Sequence, residues 1–116
     1  MIRYNISMAQ MRKSTSTEYK KIEQYRPRND REMLLIKALS NLKQDDVAAL
    51  LRDMLTLAEI EEFSNRLMIV KLLDAGLPYL EIAKEVGTST TTVTRVAHWL
   101  YNGCGGYQSL LKKLKK

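Results

Sequence analysis

Apolar residues recur along this chain at the three- and four-residue spacings of α-helices, and nowhere do they alternate as in a half-buried strand. The first clear pattern covers Arg31–Leu42. Its apolar set of Met33, Leu34, Leu35, Ile36, Ala38, Leu39 and Leu42 is wider than one stripe, and Asn29 or Asp30 is placed to cap it. A second helix is expected over Val47–Met54, with Val47, Leu50, Leu51 and Met54 on one face and Asp45 as its cap. Thr56-Leu-Ala-Glu59 then has the spacing of a capping box, in which threonine and glutamate satisfy each other's exposed amides. It opens a long helix over Leu57–Ala75, with Ile60, Phe63, Leu67, Val70 and Leu73 as one stripe, widened by Met68, Ile69 and Leu72. Acidic Glu59, Glu61 and Glu62 suit the positive end of its dipole, and Gly76 ends it.

The most informative stretch is Leu80–Trp99, which reads as a helix-turn-helix. Ile82 and Val86 face inward on the first helix, and the small Ala83 lets a second helix approach. Gly87 supplies the left-handed turn, and Thr88 or Ser89 caps the second helix. On that helix Val93 and Val96 face the first, which leaves Ser89, Thr90, Thr91, Thr94 and Arg95 outside. Threonine offers a hydroxyl to phosphates or base edges and a methyl to thymine, and arginine pairs with guanine or clamps a phosphate. A helical hairpin with a threonine-rich solvent face is the plain alternative. A last helix is expected over Tyr107–Leu114, edged by Leu110, Leu111 and Leu114. All five glycines fall at helix ends and both prolines outside helix interiors, which favours an all-α chain.

Ahead of these helices, residues 1–16 have no strong period, and Glu18–Tyr25 is a possible short helix stopped by Pro27. Residues 1–28 are therefore read as a basic arm and 29–116 as the helical DNA-binding and dimerisation domain. Charge sharpens that division. The chain has 116 residues and a net charge of +6, with seven Lys/Arg against two Glu before residue 29 and a net acidic middle. Residues 77–116 are basic again, with Lys112, Lys113, Lys115 and Lys116 at the far end. Basic ends point to an anionic partner, double-stranded DNA above all, and Lys112 is a candidate phosphate contact. A solvated arm, and lysines placed to suit a helix C-terminus, explain the same charges without DNA.

Several function classes drop out. One cysteine, Cys104, permits no internal disulfide, and a free thiol suits a reducing cytoplasm. No apolar run is long enough for a membrane span, and the N-terminus lacks the apolar core of a signal peptide. One histidine, His98, and one cysteine cannot close a zinc site, and no glycine-rich phosphate loop follows a strand. No catalysis and no cofactor are expected.

From Met54 through Arg95 the chain resembles the Trp repressor family, most tellingly at Leu55-Thr56, Arg66 and Thr92-Val93-Thr94-Arg95. The resemblance implies an all-helical, intertwined homodimer that regulates transcription, as a repressor on a near-palindromic operator. Intertwining also fits helices whose apolar surface exceeds one face. In that family tryptophan is held between two arginines, and the resemblance places them at Arg66 and Arg95, with Thr56 nearby. A glycine and a serine that accommodate the ligand correspond to Val96 and Trp99. Valine for glycine adds three carbons where an indole would lie, and the Trp99 indole is available to fill that space or simply to pack in the core. The expectation is a regulator independent of tryptophan, with any other effector unknown. Two other readings stand beside it: a DNA-binding module of replication or recombination, and an interaction module for an acidic protein.

Overall fold

The computed structural model describes residues 24–115. The expected arm over residues 1–16 lies outside them, as does the expected helix over Glu18–Tyr25 except for Gln24 and Tyr25, which are not helical. Among the described residues there are six helices and no strand: α1 Asp30–Ser40, α2 Gln44–Met54, α3 Leu57–Asp74, α4 Tyr79–Val86, α5 Thr90–Asn102 and α6 Gly106–Leu114. The all-α expectation holds. Residues Tyr25–Phe63 form one compact unit, and the described residues from Ser64 onward fall in the other.

The first unit begins with a tight polar cluster. Asn29 caps α1 by accepting from the Glu32 N–H at 3.0 Å. The Glu32 carboxylate turns back to accept from Arg28 Nε at 2.7 Å, from the Arg28 N–H at 3.0 Å and from the Tyr25 hydroxyl. The Arg28 guanidinium, the Tyr25 hydroxyl and the Arg28 amide together hold the Glu32 carboxyl down to about 2. A carboxyl with a depressed pKa favours the folded form fully above its ordinary value near 4.5 and loses that effect as pH falls toward about 2. The side-chain NMR signal of Glu32 is therefore expected to titrate near pH 2, with the first turn of α1 loosening over the same range.

Two boundaries depart from the sequence pattern. α1 stops at Ser40, short of Leu42, because the side chains of Ser40 and Asn41 both donate to the Lys37 carbonyl, at 3.0 and 3.1 Å. α2 begins at Gln44 after Lys43, which makes no side-chain cap. Asp45, expected to be that cap, lies inside the helix as a first-turn acid. The Thr56–Glu59 capping box is present in full. The Glu59 N–H donates to Thr56 Oγ1 at 3.1 Å, and the Thr56 N–H and hydroxyl both donate to Glu59 Oε1 at 3.0 Å. The Thr56 amide, then its hydroxyl, holds the Glu59 carboxyl below its ordinary range. Neither α1 nor α2 contains a buried residue, and Leu34 is 69% exposed.

The second unit carries the core. The C-terminal part of α3 contributes Ile69, Val70, Leu72 and Leu73, α4 Ile82, Ala83 and Val86, α5 Val93, Val96, Ala97 and Leu100, and α6 Leu111. α3 ends in a Schellman motif, with the Gly76 N–H donating to the Leu73 carbonyl at 3.0 Å and the Leu77 N–H to the Leu72 carbonyl at 3.2 Å. That geometry needs a left-handed residue, and Gly76 has φ +85°. Asp74, at the same helix end, is buried and accepts a salt bridge from Lys115 Nζ at 2.7 Å. Burial, and then repulsion by a Tyr79 phenolate and by the Asp74 carboxylate, push the nearby Tyr101 hydroxyl up. Lys115 thus ties the end of α6 to the end of α3. Lys115→Met leaves the Asp74 carboxylate buried without its lysine and is expected to cost about 1–3 kcal/mol in urea unfolding. Adding Asp74→Asn to that variant is expected to recover part of the loss.

Candidate nucleic-acid interface

The expected helix-turn-helix is α4, the turn at Gly87 and α5. α4 packs on α5, and α5 packs on α6. At the turn the Gly87 and Thr88 N–H groups both donate to the Ala83 carbonyl, at 2.9 and 3.0 Å. Gly87 has φ +78°, a conformation that costs glycine nothing and a β-carbon residue about 1 kcal/mol or more. Of the two candidate caps, Ser89 is the one used: its Oγ accepts from the Thr92 N–H at 3.1 Å and shares a hydrogen bond with Thr92 Oγ1 at 3.1 Å. Ile82, Ala83 and Val86 on one helix and Val93 and Val96 on the other are all buried, as the spacing requires.

With those apolar groups locked inside, α5 presents Thr90, Thr91, Thr94 and Arg95 outward, and all four are exposed together with Ser89. Their hydroxyls are not equivalent. Thr94 Oγ1 donates to the Thr90 carbonyl at 2.9 Å, so its proton is held by its own helix, and Ser89 serves its cap. Lys112 is exposed on α6.

A cleft of about 500 Å³ lies in the same unit, lined by Arg66 and Leu67 from α3, Trp99 from α5, Cys104 from the connection, and Gly106, Tyr107 and Leu110 from α6. Of the residues that the resemblance places in a pocket, the cleft brings together Arg66 and Trp99. Arg95 does not line it, and Val96 is buried in the core. Trp99 is 57% exposed and forms a wall of the cleft, so it is Val96 that packs in the core. Thr56 serves the α3 capping box. Spacing along the sequence does not reveal this cleft, because Trp99 and Tyr107 come to line it together only through the turn at Gly103. A β-carbon at Gly103 would lie 2.2 Å from the Trp99 carbonyl oxygen, so the backbone folds this closely only with glycine there. Gln108 supports the same turn, donating from Nε2 to the Leu100 carbonyl at 3.0 Å.

A short glycine-turned helix pair, buried on one side and offering a polar second helix on the other, defines a helix-turn-helix protein. The chain belongs to the Trp repressor family: the sequence model of that family, described as Trp repressor protein, matches residues 30–115. The Trp repressor family is a family of DNA-binding regulators. It is 34% identical over 64 residues to the uncharacterized protein YerC of Bacillus subtilis strain 168, an alignment spanning 55% of this chain and 62% of that protein. Its structure is similar to the crystal structure of a TrpR-like protein from Eubacterium eligens. The TM-score is 0.71 at 31% identity, covering 76% of this chain and 92% of the other. No described helix is long and apolar enough to cross a membrane.

Proposed function

We propose that this protein is a transcriptional regulator that acts as a homodimeric repressor on near-palindromic duplex DNA, in the cytoplasm and without tryptophan. The observation that carries the reading is the outer face of α5. Thr90, Thr91 and Arg95 stand exposed on a helix whose opposite side is fixed by Val93 and Val96 in the core. Such a helix enters the major groove without disturbing its own packing. The basic charge of residues 77–116 supports an anionic partner, with Lys112 as a phosphate contact that adds affinity without sequence preference.

The homodimer is supported by the unit of residues 25–63. Met33, Leu34, Leu35, Ile36 and Leu39 are all exposed along α1, an apolar surface too large for a solitary soluble chain to leave in water. A twofold pair would set two α5 helices about 34 Å apart, one turn of DNA. Independence from tryptophan is supported by the separation of the two arginines, since Arg66 lines the cleft and Arg95 does not. Light scattering at micromolar concentration, followed by titration with fluorescent duplex DNA, tests the reading. A dimer that binds duplex with a steep salt dependence agrees with it. A stable monomer rejects the twofold assembly. A dimer that captures an acidic protein but no DNA rejects the regulator.

A further inference from the structure

The exposed face of α5 is two rows wide. One row runs Thr91, Arg95 and Trp99, and it ends where Trp99 turns into the cleft. The other runs Thr90, Thr94 and His98, at the four-residue spacing that stacks side chains along one line of a helix. His98 is exposed, and its ring meets the Trp99 ring edge to face, with centroids 5.8 Å apart and planes at 85°. The second row therefore ends in a hydrogen-bonding group held against a neighbouring ring.

Distance along the helix says what this group would meet. Eight residues separate Thr90 from His98, a rise of about 12 Å. The major groove is about 8.5 Å deep. A helix that enters N-terminus first, with Thr90 and Thr91 at the base edges, has left the groove by the level of His98. Side chains on a helix lean toward its N-terminus, so from that level the His98 side chain reaches back toward the phosphates at the rim of the groove wall. We infer that His98 is a phosphate-contacting residue at the rim of the DNA interface, extending the contact surface one turn beyond Arg95. The inference rests on the DNA-binding reading of α5. It adds a contact that strengthens binding to every sequence alike, beside an N-terminal half that distinguishes sequences.

The test uses His98→Ala, His98→Lys and Arg95→Ala in the full chain. Each is titrated by fluorescence anisotropy against a preferred duplex and a scrambled duplex of equal length, over a series of salt concentrations. His98→Ala is expected to weaken both duplexes by the same factor, about fivefold. His98→Lys is expected to bind at least as tightly as the wild type and to steepen the slope of log K against log salt by about one. A His98→Ala protein within twofold of wild type on both duplexes, with Arg95→Ala strongly impaired, overturns the inference and leaves the DNA-binding reading standing. A loss confined to the preferred duplex overturns it too, since His98 would then be reading a base. A wild-type protein that binds neither duplex removes the DNA-binding reading itself, and the inference with it.

Discussion

Arg95→Ala is expected to weaken binding to the preferred duplex by about ten- to a hundredfold, while Thr91→Ala changes which duplex is preferred. A well-placed arginine contact to guanine is worth about 1–3 kcal/mol of discrimination, and Arg95 stands exposed on α5 beside a core that holds the helix rigid. Thr91 offers a methyl and a hydroxyl one turn nearer the N-terminus. Its replacement removes discrimination at one or two base pairs and leaves the phosphate contacts alone. Lys112→Ala is expected to behave in the opposite way, lowering affinity for all sequences about equally and flattening the salt slope. Ser89→Ala is different again. Ser89 caps α5, so its loss costs about 1 kcal/mol of folding stability rather than base discrimination. Competition binding with single-base variants of the duplex separates the four cases. An unchanged affinity and preference in both Arg95→Ala and Thr91→Ala means that α5 is not the reading helix.

Gly103→Ala is the substitution expected to damage the fold most. Its β-carbon would lie 2.2 Å from the Trp99 carbonyl oxygen and 3.1 Å from both the Trp99 carbonyl carbon and an indole ring carbon. A flexible side-chain tip could move aside, but a backbone carbonyl in the last turns of α5 cannot move without breaking that turn. Overpacking of this kind costs about 3 kcal/mol, which lowers the melting temperature by about 10 °C in a chain of this size. The loss has a second readout. Trp99 is the one tryptophan of the chain and a wall of the cleft, so its fluorescence is expected to shift in the folded variant. A melting temperature within two degrees of the wild type would contradict the geometry of the α5–α6 turn. Together with the Asp74–Lys115 salt bridge at the far end, this turn sets how α6 lies against α5 and so how wide the cleft is.

Features written in local chemistry are legible in the sequence. The Thr56–Glu59 box, the turn at Gly87 and the inward set of Ile82, Val86, Val93 and Val96 depend on spacings of a few residues, and each is present as expected. Where several local solutions compete, the sequence is less decisive. Asp45 and Lys43 both precede the apolar part of α2, and the helix starts early enough to place Asp45 inside. Ser40 and Asn41 end α1 through bonds to one carbonyl, which no hydrophobic period reveals. Long-range pairings leave no trace in the spacing. Lys115 reads as one more cation in a basic tail until α6 folds back to bring it to Asp74. Arg66 and Trp99 share a cleft only because α3 and α5 are both bordered by the start of α6. Ser89 and Thr94 read as equivalent to Thr90 and Thr91 among the DNA-facing hydroxyls. Only the hydrogen bonds at the start of α5 separate them.

The most direct test of α5 as a DNA-reading helix is selection of random duplex DNA by the purified protein, run in parallel with and without L-tryptophan. The same near-palindromic sequence is expected in both arms, with half-sites centred one helical turn apart. Enrichment only in the presence of tryptophan would contradict the tryptophan-independent reading and show that Val96 and Trp99 leave room for the ligand. No enrichment in either arm would contradict the assignment of α5 as a DNA-reading helix able to act without an effector.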